Sequence, residues 1–212
     1  TDGHRLAVVL TESDESNRDQ TIDNLESKDE NLSVTIPTRS LREIEKLVNT
    51  KSTENKVKLF YDKGQLVFIS SDQIITTRTL EGNYPNYSQL IPDSFSKVFK
   101  FEKNALVNSL ERIAVLADQQ SSVVKINIKE ENLAFISADA QDIGNAEEIL
   151  PVSFSGDQLE IAFNVRYLLE GLKVITSEFI FLKCNLSTTP AVIVPENNSS
   201  FTYLVMPIQV RS

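Results

Sequence analysis

Apolar residues in this chain alternate with polar ones, then regroup at helical spacing, then alternate again, and the cycle repeats. Gln65-Leu66-Val67-Phe68-Ile69-Ser70-Ser71-Asp72 recurs as Asn132-Leu133-Ala134-Phe135-Ile136-Ser137-Ala138-Asp139, with Leu, Phe, Ile, Ser and Asp in register. Each copy follows a β-like stretch and a polar turn: Val57 to Tyr61 with Asp62-Lys63-Gly64, and Val123 to Ile128 with Lys129-Glu130-Glu131. Both read as hairpins. Self-similarity at this scale marks a duplicated structural unit.

Upstream of each hairpin lies a short strand and then a helical pattern, and this pair occurs a third time. Ile36, Phe101 and Phe163 anchor the strands; Leu41, Leu106 and Leu168 open the helices; Val48, Ile113 and Ile175 close the stripe at the same offset, with Ile44, Leu110 and Leu172 between. Such spacing is the amphipathic signature of a helix lying on a sheet. The fold class predicted is α+β, built from strand-helix-strands units with antiparallel sheet on one side and helices on the other. Two units fill the stretch from Phe95 to Val210; the earlier part holds one, preceded by the strand Arg5 to Leu10. Pro85, Pro92, Gly82 and Asn83 interrupt the pattern between Tyr84 and Pro92, so the link between domains is expected there. From Thr11 to Leu32 the chain is rich in Asp, Glu, Asn and Ser and reads as a solvated surface loop.

Composition narrows the function. At 212 residues and 41% hydrophobic content, ordinary cores in one or two domains are expected. Cys184 is the single cysteine, which excludes an intrachain disulfide and fits a reducing, cytoplasmic setting. The apolar runs fall far short of the roughly 20 residues that cross a bilayer. A net charge of −9 argues against a protein that grips nucleic acid, because phosphate binding runs on Lys and Arg. A protein that slides along DNA tolerates it if its few basic groups face the duplex.

Candidate chemistry is sparse. With one histidine, one cysteine, no glycine-rich phosphate loop and no metal-ligand spacing, no catalytic residue, cofactor or metal is expected. His4 beside Asp2 is the nearest approach to a base with an orienting carboxylate, and a hydrolase using His4 is the weakest alternative. Asp139 and Asp142 lack the ligand spacing of a calcium loop. Cys184, alternating between Leu182 and Leu186, reads as a small core residue.

Thr1-Asp2-Gly3-His4-Arg5-Leu6-Ala7, taken with Tyr203-Leu204-Val205-Met206-Pro207-Ile208, resembles a signature of the bacterial DNA polymerase III beta subunit, the DNA sliding clamp. Tyr84-Pro85-Asn86-Tyr87, Ala146-Glu147-Glu148-Ile149-Leu150, Phe163-Asn164-Val165 and Tyr167 fall in that family's order. The resemblance implies the DNA clamp fold, with antiparallel sheets outside and helices inside. It covers the later part of the second of three similar domains (1–87, a partial central domain) and the third (88–212, the C-terminal domain). The chain is therefore expected to be a fragment or partial gene product ending near the family's C-terminus.

The resemblance further implies a non-catalytic processivity factor that encircles duplex DNA as a homodimer ring. Its expected partners are DNA polymerase III alpha and other polymerases, bound through short linear motifs, and a clamp loader. The peptide pocket would be walled by Thr1, Gly3, His4, Arg5, Leu6, Pro85, Leu90, Asn164, Tyr167, Leu204, Met206, Pro207 and Ile208. Gln89 stands where the family often has arginine and Ser121 where an aromatic sits, so rim contacts there differ. Arg39, Arg42, Lys46, Lys103, Arg112, Arg166 and Lys173 would face DNA, touching phosphate without reading bases. Val115, Leu116, Glu147 and Glu148 would form the ring interface, and this chain alone is expected not to close a ring. A peptide-binding adaptor without a DNA role is the nearer alternative.

Overall fold

The computed structural model describes residues 1–11, 33–49, 57–70, 73–117, 121–129, 132–140, 143–198 and 200–209. The expected loop over Thr11 to Leu32 lies, beyond Thr11, outside the described residues, as does Asp142. The chain forms two compact units, one of Thr1–Asp14 with Asn86–Ser212 and one of Glu15–Pro85.

The strand β1 (Arg5–Val9) belongs to the larger unit. The smaller unit holds α1 (Thr38–Asn49) and a sheet of β2 (Lys58–Asp62), β3 (Gln65–Ser70) and β4 (Gln73–Arg78), in the order β2-β3-β4. The β2–β3 hairpin turns at Lys63 (φ 43°) and Gly64 (φ 81°), the paired positive φ values that match strand twist in a tight hairpin. Leu47, Leu66 and Phe68 form its buried apolar positions. The helical stripe departs from expectation here: Leu47 is the buried position on α1, while Leu41 and Val48 stay 47% and 51% exposed. The three-stranded sheet meets only one strip of the helix.

In the larger unit a short 3-10 turn (Tyr87–Leu90) leads into β5 (Lys97–Glu102) and α2 (Lys103–Ala117), then β6 (Val123–Lys129), β7 (Leu133–Ala140), β8 (Gly144–Pro151) and β9 (Ser153–Ser155). The second repeat runs β10 (Leu159–Asn164), α3 (Val165–Lys173), β11 (Phe179–Cys184), β12 (Ala191–Pro195) and β13 (Phe201–Val205). The two repeats trade their leading strands. β5 pairs with β11 and β10 with β6, giving antiparallel sheets β1-β13-β12-β11-β5-β9 and β10-β6-β7-β8.

Helices α2 and α3 pack on each other and against these sheets, and Leu106, Leu110, Ile113, Leu168, Leu172 and Ile175 are all buried as expected. Phe99, Phe101 and Phe163 fill the same core, each worth about 1.5–3 kcal/mol of burial. Cys184 is buried there too, and removal from water pushes its thiol up to about 11. Each helix start is capped: Glu102 accepts from the Asn104 and Ala105 amides, and Asn164 from those of Arg166 and Tyr167. No described helix is long and apolar enough to cross a membrane.

β1 precedes the smaller unit in sequence but packs with the larger one. Its backbone partners explain this: Arg5 to Val9 pair with Val205 to Phe201.

Candidate functional site

The two ends of the signature meet at the β1–β13 edge. Leu6 lies opposite Leu204, and beyond the strands the Met206 amide donates to the His4 carbonyl at 2.9 Å. Two residues on, the Ile208 amide donates to the Ala162 carbonyl at 2.7 Å, so the tail crosses from one sheet to the other. Asn164, through its capping role, fixes the first turn of α3, where Tyr167 sits. The His4 and Tyr167 rings stack at 6.2 Å and 23°. Four of the expected pocket residues, His4, Arg5, Tyr167 and Met206, are therefore joined by direct contacts or one backbone bond.

Alternation along β1 splits the signature between two faces of the sheet. Leu6 and Leu204 join Val192 in a small buried cluster with Val8, Ile91, Phe95 and Val194 packed against it. Leu6, Val192 and Leu204 are buried, at 2–3% exposure, while Met206 at 38% and Leu90 at 48% are among the exposed apolar side chains of the unit. Ile91, Phe95, Val192 and Val194 were not foreseen; the unbroken apolar run of Ala191–Pro195, the mark of a strand buried on both faces, carried a signal for the latter two. Gly3, exposed, takes φ 87° and turns the chain into β1. Pro207 and Ile208 are half-buried, and Pro85 is an exposed residue ending the smaller unit.

Arg5 projects from the opposite face. Its guanidinium pairs with Asp2 at 2.9 Å and Glu170 at 2.5 Å, and lies 4.3 Å above the Tyr167 ring. Partial burial would lower its pKa, but its hydrogen bonds to Asp2, Tyr203 and Glu170 raise it, so it stays cationic. A cleft of about 290 Å³ opens beside it, lined in part by Thr1, Ala7, Val174 and Phe201. Asp2 accepts from the His4 and Arg5 amides through Oδ1 and from Arg5 Nε through Oδ2. Partial burial acts to raise the Asp2 carboxyl, yet these donors hold it below its ordinary value. Asp2 thus orients backbone and Arg5 rather than the His4 imidazole, which removes the base-and-carboxylate arrangement that hydrolysis needs. Among the described residues no group of three His, Cys, Asp or Glu is placed to hold a metal ion.

The candidate DNA-facing cations are mostly engaged within the fold. Lys46 pairs with Glu43 and Lys173 with Glu111, at 2.8 and 2.7 Å; Lys103 Nζ donates to the Ile175 carbonyl. Arg112 grips Glu148 with two hydrogen bonds, so a residue assigned to the DNA face and one assigned to the ring interface share one spot. Arg39, Arg42 and Arg166 are exposed. Val115 is 71% exposed near the end of α2, Leu116 is half-buried, and Glu147 is exposed on β8, which has a free sheet edge.

The exchanged-strand α+β repeat is shared with solved sliding clamps. The DNA polymerase III beta subunit of Thermotoga maritima aligns over 100% of this chain and 53% of its own, with TM-score 0.84 and 28% identity. A Bartonella birtlesii sliding clamp bound to griselimycin aligns over 99% of this chain and 53% of its own, with TM-score 0.86 and 25% identity. The chain belongs to the DNA polymerase III beta subunit family: residues 1–86 match the model of its central domain and residues 88–209 that of its C-terminal domain. The beta sliding clamp of Synechococcus elongatus is 43% identical over 100% of this chain and 54% of the relative, and that of Synechocystis is 38% identical over 99% and 54%. The chain spans about half the length of the relatives it matches.

Proposed function

We propose that this chain serves as the later part of a non-catalytic processivity clamp in the cytoplasm. The whole protein would encircle duplex DNA as a ring dimer and hold polymerases against it by their short motifs, raising their local concentration at the template. The supporting observation is the β1–β13 edge, where Leu6, Val192 and Leu204 form a buried floor on one face and His4, stacked on Tyr167 and bonded through its carbonyl to Met206, leads into β1. An apolar floor with a few polar groups at its margin suits a peptide with leucine and phenylalanine anchors, and Met206 adds a deformable rim. Two solved clamps of this fold hold griselimycin, those of Bartonella birtlesii and Pseudomonas aeruginosa, which fits a family able to take up a ligand of that kind.

Arg39, Arg42, Arg166 and the paired lysines would meet DNA only through phosphate, giving weak, salt-sensitive, sequence-blind contact. Val115, Leu116, Glu147 and the β8 edge would meet the neighbouring subunit, with Glu148 held by Arg112. The test is fluorescence anisotropy of a labelled peptide bearing glutamine, leucine and phenylalanine anchors, titrated with this chain and with Leu6→Ala, Met206→Ala. Saturable binding lost in the double variant is expected; a folded chain that binds neither peptide nor any clamp-binding motif overturns the assignment.

A further inference from the structure

The outer face of the six-stranded sheet does not end at the apolar floor. Residues directly opposite one another across a sheet point to the same side. Leu6 lies opposite Leu204, Leu204 opposite Val192, Val192 opposite Lys183 and Lys183 opposite Val98. One step along, Val194 faces Phe181, and Phe181 faces Lys100. The floor thus runs directly into a patch of Lys100, Phe179, Phe181 and Lys183. Lys100 Nζ lies 4.5 Å over Phe179 and 5.9 Å from Phe181, and Lys183 Nζ lies 5.8 Å from Phe181. Lys100 is also tied to Glu196 at 2.5 Å, whereas Lys183 has no carboxylate partner among the described residues. Glu102, opposite Phe179 on the same face, is engaged by the Asn104 and Ala105 amides, so Lys183 is the cation of the patch left to meet an outside carboxylate.

Resting on the peptide-pocket reading, we propose that this patch receives an acidic segment flanking the apolar anchors of a bound partner peptide, with Lys183 as its main cation. Three interstrand steps of about 4.8 Å separate Leu6 from Lys183, a distance covered by four or five extended residues at about 3.3 Å each. Lys100 already covers a face of Phe179, which disfavours a stacked nucleobase there and favours a carboxylate.

The experiment compares three peptides on the full chain: the anchor motif alone, the motif with an acidic extension, and the motif with a glutamine extension of equal length. Extensions are placed at each end in turn. An acidic extension at one end is expected to tighten binding about threefold at low salt, with the gain fading as salt rises. Lys183→Glu removes that gain and leaves the motif peptide unchanged, which also shows that the variant is folded. Lys129→Glu, an equal charge change in the other sheet, retains the gain. Motif binding with no gain from either acidic extension overturns the patch and leaves the pocket standing. Loss of motif binding itself overturns both. Displacement of the extension by a single-stranded oligonucleotide, with no acidic gain, assigns the lysines to phosphate instead.

Discussion

The same apolar stripe is written on three helices and treated in two ways. On α2 the positions Leu106, Leu110 and Ile113, and on α3 Leu168 and Leu172 with Ile175 two residues past its end, are buried, because each helix has both a sheet and the other helix to lie on. On α1 the matching Leu41 and Val48 stand about half exposed, where among the described residues the helix lies on the three-stranded sheet. Amphipathic spacing therefore states which face of a helix can be buried, and the number of neighbouring layers decides how much of it is. In the larger unit the two repeats complete each other.

The sharpest break of this comparison comes from equivalent truncations. Leu106→Ala is expected to cost about 2–5 kcal/mol, as for a buried leucine that leaves a cavity. Leu41→Ala, at the same repeat position, should cost within about 0.5 kcal/mol. Hydrogen exchange of α2 and α1 amides in urea reads each unit separately; equal losses would mean that the two stripes are packed alike.

A second test probes how close the completed pair is. A Cβ on Gly171 of α3 would come within 2.4 Å of the Tyr203 ring, which is buried and donates from its hydroxyl to the Tyr167 carbonyl at 2.8 Å. Gly171→Ala should therefore destabilise the larger unit by about 1–3 kcal/mol despite the higher helix propensity of alanine. A neutral or stabilising result in chemical unfolding would show that Tyr203 can move aside. Somewhat smaller is the cap: Asn164→Ala is expected to cost about 1 kcal/mol and to loosen Tyr167, read as weaker peptide binding alongside the lowered unfolding midpoint.

The smallest effects are electrostatic. Glu148 is held below its ordinary pKa, chiefly by the hydrogen bonds from Arg112 against a burial effect of opposite sign. A carboxylate with a depressed folded pKa stabilises above its unfolded value, and that contribution is lost as pH falls through the folded one. Asp2 behaves in the same sense, through its His4 and Arg5 donors. Carbon-detected titration should place both midpoints below those of the unfolded chain. Arg112→Gln should return Glu148 toward its ordinary value without moving Asp2.

Much of this arrangement was readable beforehand, and the failures have physical causes. The presence of two hairpins, the helical stripe of the later repeats and the core placement of Cys184 all follow from periodicity, but the residue match between the hairpins does not hold: Leu66, Phe68 and Ser70 are buried, whereas Ala134, Ile136 and Ala138 are buried in place of Leu133, Phe135 and Ser137. The pairing of β1 with β13 was not readable, because a strand's pattern specifies its buried face and not which edge it joins. Nor was the pairing of Arg112 with Glu148, since charges distant in sequence reveal nothing of their encounter. At the proposed pocket, residue identities singled out two chain segments that meet as β1 and β13, but alternation sent Arg5 and Leu6 to opposite faces. The supporting Ile91 and Phe95 sit in an irregular segment with no period to read.

The traded strands also set an order of events for the chain as it is made. β5 appears well before β11, and β1 before β13, yet Phe101 must pair with Ile180 and Leu6 with Leu204. Such distant partners make folding slow relative to helical domains, because loops must close before the contacts reward them. During synthesis, the leading strand of one repeat waits with an open edge until its partner emerges. An unpaired edge is a template for a neighbouring chain, so the exchange that locks the finished repeats together also creates an interval of exposure to misassembly on the ribosome.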